Sequence, residues 1–279
     1  MEDIWIYETH TDGYEVRWRI TDVLHREATP FQKLAVVETV EWGKALILDG
    51  VLQLAEKDEF IYHEMIAHVA MNSHIGPEKV LIIGGGDGGA LREVVKHQCI
   101  KHVDMVEIDQ RVVAVSQQYF PQVASAIDDR RVSLHIADGL EYVRETAEQY
   151  DLVIVDSSDP IGPSVQLFSQ GFYQDIYNLL KEDGMVVVQS ESPVFFAEPF
   201  LNCQSNMKAV YPIVEVYLAT VPTYVSGPWS FTVGSKKYNP CEIHNASAIL
   251  SGLKYYNESL HQAAFCLPQF VQEMLNNGG

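Results

Sequence analysis

Over residues 14–20 apolar and polar side chains alternate, with Tyr14, Val16, Trp18 and Ile20 set against Glu15, Arg17 and Arg19. A period of two predicts a strand with one face buried. Two further strand-like runs, 44–48 and 51–54, flank Asp49-Gly50, a dipeptide suited to the positive φ angles of a tight hairpin turn. Residues 1–55 are therefore expected to form a small antiparallel sheet. Few strands with little chain to cover them rarely stand alone, so this sheet should lean on the rest of the chain or on another copy of itself.

From Asp58 the period lengthens. Over 58–72, Ile61, Met65, Ala67 and Val69 are the expected packing residues of a helix, with Asp58 as its N-cap. After Gly76-Pro77, strand and helix patterns alternate through the second expected domain, 56–279. Strands are predicted at 80–83, 102–108, 132–137, 152–155 and 185–189. Helices are predicted at 90–97, 111–119, 139–147 and 172–180, the last ended by Asp183-Gly184. A helix at 200–210 and strands at 214–218 and 230–234 would complete an α/β domain: a mostly parallel sheet with an antiparallel edge.

The first of these strands is the most informative. Val80, Leu81, Ile82 and Ile83 form an unbroken apolar run, as expected of a strand buried on both faces, and GGGDGG follows before the next helix. Glycines between a strand and a helix N-terminus mark the place where a doubly wound sheet binds a nucleotide-like ligand. Asp87 would repel a phosphate there, so the ligand is expected to be neutral or cationic near this turn.

Ligands of such sheets gather at the C-terminal strand ends, and here those ends are acidic: Asp87, Glu107 with Asp109, Asp138, Asp156 with Asp159, and Glu191. A single acid in such a place is often the N-cap of the next helix, which is the expectation for Asp109 or Asp138 taken alone. Glu107, about 20 residues past the glycine turn, is placed to take a ribose hydroxyl pair. No pyrophosphate clamp accompanies it, and GGGDGG is not the dinucleotide fingerprint, so an adenosine joined to a sulfonium fits better than NAD. The loop DSSDPIGP over 156–163 is acidic and stiffened by two prolines. With Asp87 it would surround one ligand with carboxylates, an arrangement that cations must offset.

Composition narrows the field. The 279 residues are 47% hydrophobic, enough for one large core with a small attached domain. A formal charge of −19 argues against nucleic acid, whose phosphates require Lys and Arg, and is compatible with steering a cationic substrate. Residues 1–11 lack a basic segment followed by an apolar run, and no run approaches the roughly 18 apolar residues of a membrane span, so a cytoplasmic protein is expected. Cys99, Cys203, Cys241 and Cys266 are far apart and are read as buried free thiols rather than zinc ligands or disulfides. His63-Glu64 and His68 imitate a zinc-protease motif, but histidines five apart on a helix point about 140° away from each other. No metal is expected, and His68 is read as a packed or surface residue.

The motifs taken in order resemble those of the polyamine aminopropyltransferases. They are FQKLAVVET from Phe31, LDGVLQLAEKDEFIYHEMIAH from Leu48, GGGDGG, Glu107, Asp138-Gly139, DSSDPIGP and VPTYVSG from Val221, and they run over nearly the whole chain. The resemblance implies a Rossmann-like fold of the class I methyltransferase type. It also implies transfer of an aminopropyl group from decarboxylated S-adenosylmethionine, a co-substrate rather than a cofactor, to putrescine, giving spermidine and methylthioadenosine. By the same resemblance, Gln32, Glu107, Asp138, Gly139 and Pro163 would hold the nucleoside and its thioether. Tyr62, His63, Asp87, Asp159 and Tyr224 would hold the amines, and Asp156 would be the base. Gln53 and Glu191 are further candidates. The family commonly reads TYPSG where this chain has Val225 in TYVSG, a change beside Tyr224 at the acceptor pocket. A homodimer or homotetramer is implied, in keeping with the sparsely covered N-terminal sheet.

The chemistry fits these residue types. An alkylammonium of pKa about 10.4 must lose a proton before it can attack, at a cost of about 4.6 kcal/mol at pH 7. An aspartate near 3.9 accepts that proton poorly, so burial and the charge of Asp159 are expected to raise Asp156. Two rivals are a class I methyltransferase and a non-catalytic polyamine-binding protein. Asp87 weighs against the first, because an intact methionine tail would bring its own carboxylate. The intact nucleoside set weighs against the second. Which diamine is preferred is not encoded legibly, since one methylene is worth only about 1–3 kcal/mol.

Overall fold

The structure, a computed structural model, describes residues 3–158, 162–224, 227–244 and 250–277, the side chains of 162–164 excepted. Asp159 and Val225, both singled out above, lie outside the described residues, as does the side chain of Pro163.

The N-terminal strands β1 (Ile4–Thr11), β2 (Tyr14–Ala28), β3 (Lys33–Thr39), β4 (Gly43–Leu48) and β5 (Val51–Ala55) pair in chain order as a five-stranded antiparallel sheet. At the β4–β5 turn Asp49 and Gly50 have φ of 49° and 90°, as their sequence predicts. The sheet curls until β1 meets β5, where the Leu52 N–H donates to Glu8 Oε2 at 3.0 Å. Its central strands are apolar on both faces. Leu34, Val36, Leu46 and Leu54 pack with Val112, Val115 and Phe120 of the larger domain, while Val37, Ala45 and Ile47 pack inside the curl with Ile6 and Trp18. On the outer side of β1, Trp5 and Tyr7 are 51% and 67% exposed, so the alternation there leaves large apolar groups in water.

After α1 (Glu59–Ser73) comes a seven-stranded sheet of β6 (Lys79–Gly84), β7 (His102–Glu107), β8 (Val132–Ile136), β9 (Tyr150–Asp156), β10 (Leu180–Gln189), β11 (Ile213–Ala219) and β12 (Trp229–Ser235), in the order β11-β12-β10-β9-β6-β7-β8. The fold is α/β, of the Rossmann-like methyltransferase type. All pairs from β8 to β10 are parallel, and β6 lies between β7 and β9, where the strand order reverses. The period of two explains the apolar run of β6. Val80 and Ile82 face the cluster that includes Met65, Leu91 and Val94, whereas Leu81 and Ile83 face Val143, Phe172 and Tyr173. The helices that supply this cover are α1, α2 (Gly89–Val95), α4 (Gly139–Glu145) and α5 (Gln170–Leu179), with α3 (Gln110–Tyr119) meeting the small sheet.

Several expectations need correction. The sheet has its antiparallel edge, but the reversed strand is β12, which wedges between β10 and β11 and pairs antiparallel with both. Asp183-Gly184 does not end α5: Leu180 turns to extended backbone, and the dipeptide falls within β10 where the register to β9 shifts. Asp58 stands at the N-cap of α1, but its carboxylate makes no cap bond there and instead accepts the Thr223 N–H at 2.8 Å. Helix α1 buries Ile61, Met65, Ala67 and Val69 as expected, and more besides. It is buried on every side, with Glu64 accepting the backbone N–H groups of Lys254, Tyr255 and Tyr256 at 2.8–2.9 Å. His68 is a packed residue, bonded to His97 and Glu93. Of the cysteines only Cys203 is buried, while Cys99 and Cys241 are half-buried and Cys266 is exposed. Helices α6 (Ala197–Lys208), α7 (Glu258–Ala264) and α8 (Gln269–Asn277) complete the fold, the last two in a region to which the sequence pattern assigned nothing. Among the described residues no helix is long and apolar enough to cross a membrane.

Candidate active site

A cavity of about 330 Å³ opens at the C-terminal ends of β6, β7 and β9, roofed by the small sheet. The glycine turn shapes its floor. Gly84 pairs with Asp156 and has φ of 81°, and a Cβ there would stand 2.3 Å from the Asp156 carbonyl oxygen. The Gly85 N–H donates to that same oxygen at 2.7 Å, so the turn and the end of β9 are tied together.

At one end lies Glu107. Its Oε1 accepts the Asp109 N–H at 2.8 Å, and a Cβ on Gly86 would come within 2.7 Å of its Oε2, so only glycine leaves room for this carboxylate. Burial, with the charges of Asp109 and Asp87 added, pushes Glu107 up to about 7. Asp109 and Asp138 both cap the helices that follow them, accepting from the Arg111 and Leu140 N–H groups. Asp109 Oδ2 also takes bonds from Thr29 Oγ1 at 2.7 Å and from Gln32 Nε2 at 3.0 Å, which brings Gln32 from the small sheet into the cavity wall. Asp138 and Gly139 line the same end.

At the other end Asp156 is the centre. Tyr62 Oη donates to its Oδ1 at 2.6 Å, while its Oδ2 is buried without a hydrogen-bond donor among the described residues. Burial, then the charge of Asp87, raises Asp156 to about 6 against the lowering effects of His63 and Tyr62. The rise was expected; among the described residues Asp87 is the acidic neighbour that contributes to it, and Asp159 lies outside them. Burial and the adjacent Asp156 also push the Tyr62 phenol far above its ordinary value, so it stays a donor. Tyr224 Oη donates to the Gln53 carbonyl at 2.6 Å, and its ring stands 5.6 Å from that of Tyr62 and 4.9 Å from Trp229. Gln53, Tyr62, Asp87 and Tyr224 all line the cavity. His63 stands behind Asp87, its Nε2 3.4 Å from Asp87 Oδ1, and does not form the wall. Glu191 is buried just past β10 with φ of 68°, accepting from Gln189 Nε2 at 3.5 Å; Gln189 is the residue of that pair that lines the cavity.

Other lining residues were not foreseen. Glu8 and His10 reach the cavity from β1, and Gln189 and Trp229 from β10 and β12. Strand alternation predicts which face a residue takes but not which strand will rim a cavity. His74, Asp151 and Asp183 have the donor types of a metal site and lie within 4.8 Å of one another, but at the N-terminal end of β9, with Lys181 Nζ 2.8 Å from Asp151 Oδ1. Nothing in the cavity chemistry calls on them.

Two families match this chain: the Spermine/spermidine synthase domain over residues 59–245 and the Spermidine synthase tetramerisation domain over residues 4–56. A polyamine aminopropyltransferase of Moorella thermoacetica is 50% identical over 275 residues, covering 99% of this chain and 97% of its own. One of Bacillus subtilis is 43% identical, covering 99% of this chain and 100% of its own. Among solved structures, a spermidine synthase in complex with the transition state analogue AdoDATO matches with a TM-score of 0.95 at 39% identity, over 98% of this chain and 95% of that one. The spermidine synthase of Thermotoga maritima matches with a TM-score of 0.92 at 38% identity, over 98% and 94%.

Proposed function

Because the chain belongs to the spermine/spermidine synthase family and is a polyamine aminopropyltransferase, we propose that its cavity joins decarboxylated S-adenosylmethionine to putrescine, giving spermidine and methylthioadenosine. The observation that carries this reading is Asp156, a buried carboxylate with one oxygen held by Tyr62 and the other without a donor among the described residues. Glu107 takes the ribose hydroxyls, with Gln32, Asp138, Gly139 and Pro163 around the nucleoside and its sulfur. The amine lies between Tyr62, Tyr224 and Asp87, with His63 behind Asp87 and Gln53 beside Tyr224; Asp159, outside the described residues, is assigned to the amine by the family resemblance alone.

The proton leaves first. A putrescine ammonium gives it to Asp156, whose raised affinity narrows the gap to an amine near 10.4. The freed lone pair attacks the carbon beside the sulfonium, the carbon–sulfur bond breaks, and its electrons neutralise the sulfur as a thioether. The nucleoside is consumed and is therefore a co-substrate. Positioning of nitrogen and carbon in line supplies the rest of the rate.

The small sheet supports a homo-oligomer, a homotetramer in the reading that its family match and the exposed Trp5 and Tyr7 favour. The test of function is methylthioadenosine release with putrescine as acceptor. Release is expected from the decarboxylated nucleoside only, and release from intact S-adenosylmethionine alone would overturn the proposal.

A further inference from the structure

Both ring nitrogens of His63 face carboxylates. Nδ1 stands 2.6 Å from Glu59 Oε2 and Nε2 3.4 Å from Asp87 Oδ1. Carboxylates accept and do not donate, so a ring held this way carries a hydrogen on each nitrogen and is an imidazolium. The ring is buried against Gly89, where a Cβ would stand 2.2 Å from it. Glu59 is itself gripped by the fork of Arg92, Nη1 to Oε1 at 3.0 Å and Nη2 to Oε2 at 2.8 Å. Arg92 Nε donates to Glu93 Oε1 at 2.8 Å, and Lys96 Nζ lies 2.5 Å from Glu93 Oε2 at the surface. From cavity to solvent the charges of Asp87, His63, Glu59, Arg92, Glu93 and Lys96 alternate in sign.

We propose that Glu59 and Arg92 are positioning residues for the amine: by holding His63 as a cation between two carboxylates, they fix the place and charge of Asp87 beside Asp156. This rests on the aminopropyl-transfer reading above. Asp87 Oδ1 accepts the Gly89 N–H at 2.6 Å and makes an ion-pair contact with His63 Nε2 at 3.4 Å, which among the described residues leaves Oδ2 for an ammonium. With His63 neutral, Asp87 and Asp156 would repel each other without compensation, and the ring would be free to turn. The groups acting on His63 are Glu59 from its own helix, Asp87 from the glycine turn and Asp156 from the end of β9, with Arg92 and Glu93 of α2 behind Glu59. Burial alone would lower the imidazole, but Asp87 and Glu59 outweigh it and hold it up at about 10.

The test uses full-length enzyme with ¹⁵N-labelled histidine, as wild type, Glu59→Gln, Arg92→Met and Arg92→Lys. Wild-type His63 is expected to show two protonated ring nitrogens from about pH 6 to about pH 9, and in Glu59→Gln to titrate inside that range. Putrescine affinity, measured by calorimetry with methylthioadenosine bound, should weaken about tenfold in Glu59→Gln and Arg92→Met, with methylthioadenosine affinity unchanged. The putrescine KM should rise with it more than kcat falls, and Arg92→Lys should recover most of the loss. A neutral His63 in the wild type at pH 7.5 would overturn the proposal, as would variants that change Tm while leaving putrescine affinity within twofold. Wild-type enzyme that releases no methylthioadenosine would sink the reaction assigned above, while the spectra and calorimetry would still decide the positioning.

Discussion

Tyr62 and Asp156, 94 residues apart in the chain, meet in a 2.6 Å hydrogen bond that orients the carboxylate proposed to take a proton from a bound amine. Asp156→Asn keeps the acceptor oxygen for Tyr62 and removes the base. We expect kcat to fall about 10²–10⁴-fold, the range of general-base catalysis, with methylthioadenosine affinity unchanged in calorimetry. An equal loss of turnover and nucleoside affinity would remove Asp156 from this role.

The acid limb of kcat/KM for putrescine should reflect Asp156 near pH 6, activity falling as the pH drops and the base becomes protonated. The Tyr62 hydrogen bond lowers Asp156, so Tyr62→Phe should move that limb to higher pH and reduce the rate at neutrality. Steady-state rates across pH 5 to 9 would reveal the shift, and a limb that moved downward would contradict the assignment.

The same raised affinity bears on folding. Asp156 rises from 3.8 to about 6, so the folded chain binds the extra proton and its contribution to stability is full below the unfolded value and lost as the pH climbs through about 6. Asp156→Asn removes that loss. Its Tm should exceed the wild type's by more at pH 8 than at pH 5, as read by differential scanning calorimetry of the unliganded protein.

Glu107→Gln should weaken methylthioadenosine binding about 10–100-fold, the loss of charge-assisted bonds to the ribose hydroxyls. In the wild type affinity should decline as the pH falls through about 7, where Glu107 takes a proton. Gly86→Ala places a methyl 2.7 Å from Glu107 Oε2 and 2.9 Å from Val112, and should damage nucleoside binding at least as much. Isothermal titration at pH 6 and pH 8 compares all three.

Replacing exposed apolar groups of β1, as in Trp5→Glu with Tyr7→Glu, should shift the protein toward smaller species in light scattering without unfolding it, since both side chains are more than half in solvent. An unchanged molar mass would place the contact elsewhere.

The parts of this fold that were legible in the sequence are those where one strand or one helix determines the pattern. The run from Val80 to Ile83 suits a strand covered on both faces, and Asp49-Gly50 suits a tight turn. Neighbourhood was not legible. Nothing in residues 229–235 says that β12 will slip between β10 and β11, because hydrophobic period reports burial and not partners. Asp58 shows the same limit, since its spacing suits a cap but tertiary structure offers it the Thr223 N–H instead. The two last helices did leave a trace, Val271, Met274 and Leu275 at helical spacing, and Asn257 accepts the Leu260 N–H as an N-cap. At the site, residue types indicated a cationic ligand, yet the closeness of Asp87 to Asp156 depends on β6 and β9 being neighbours in one sheet, and the positions of Glu8 and His10 depend on how the small sheet is brought over the larger one.

Ile6 of β1 and Tyr224 belong to one apolar cluster, and Tyr224 is fastened to Gln53 of β5. The strand whose outer side presents Trp5 and Tyr7 therefore has its inner side in the same packing as the ring proposed to border the acceptor amine. Subunit association on that outer side would stiffen the acceptor pocket from behind, and dilution of the assembly would register as a poorer grip on the diamine.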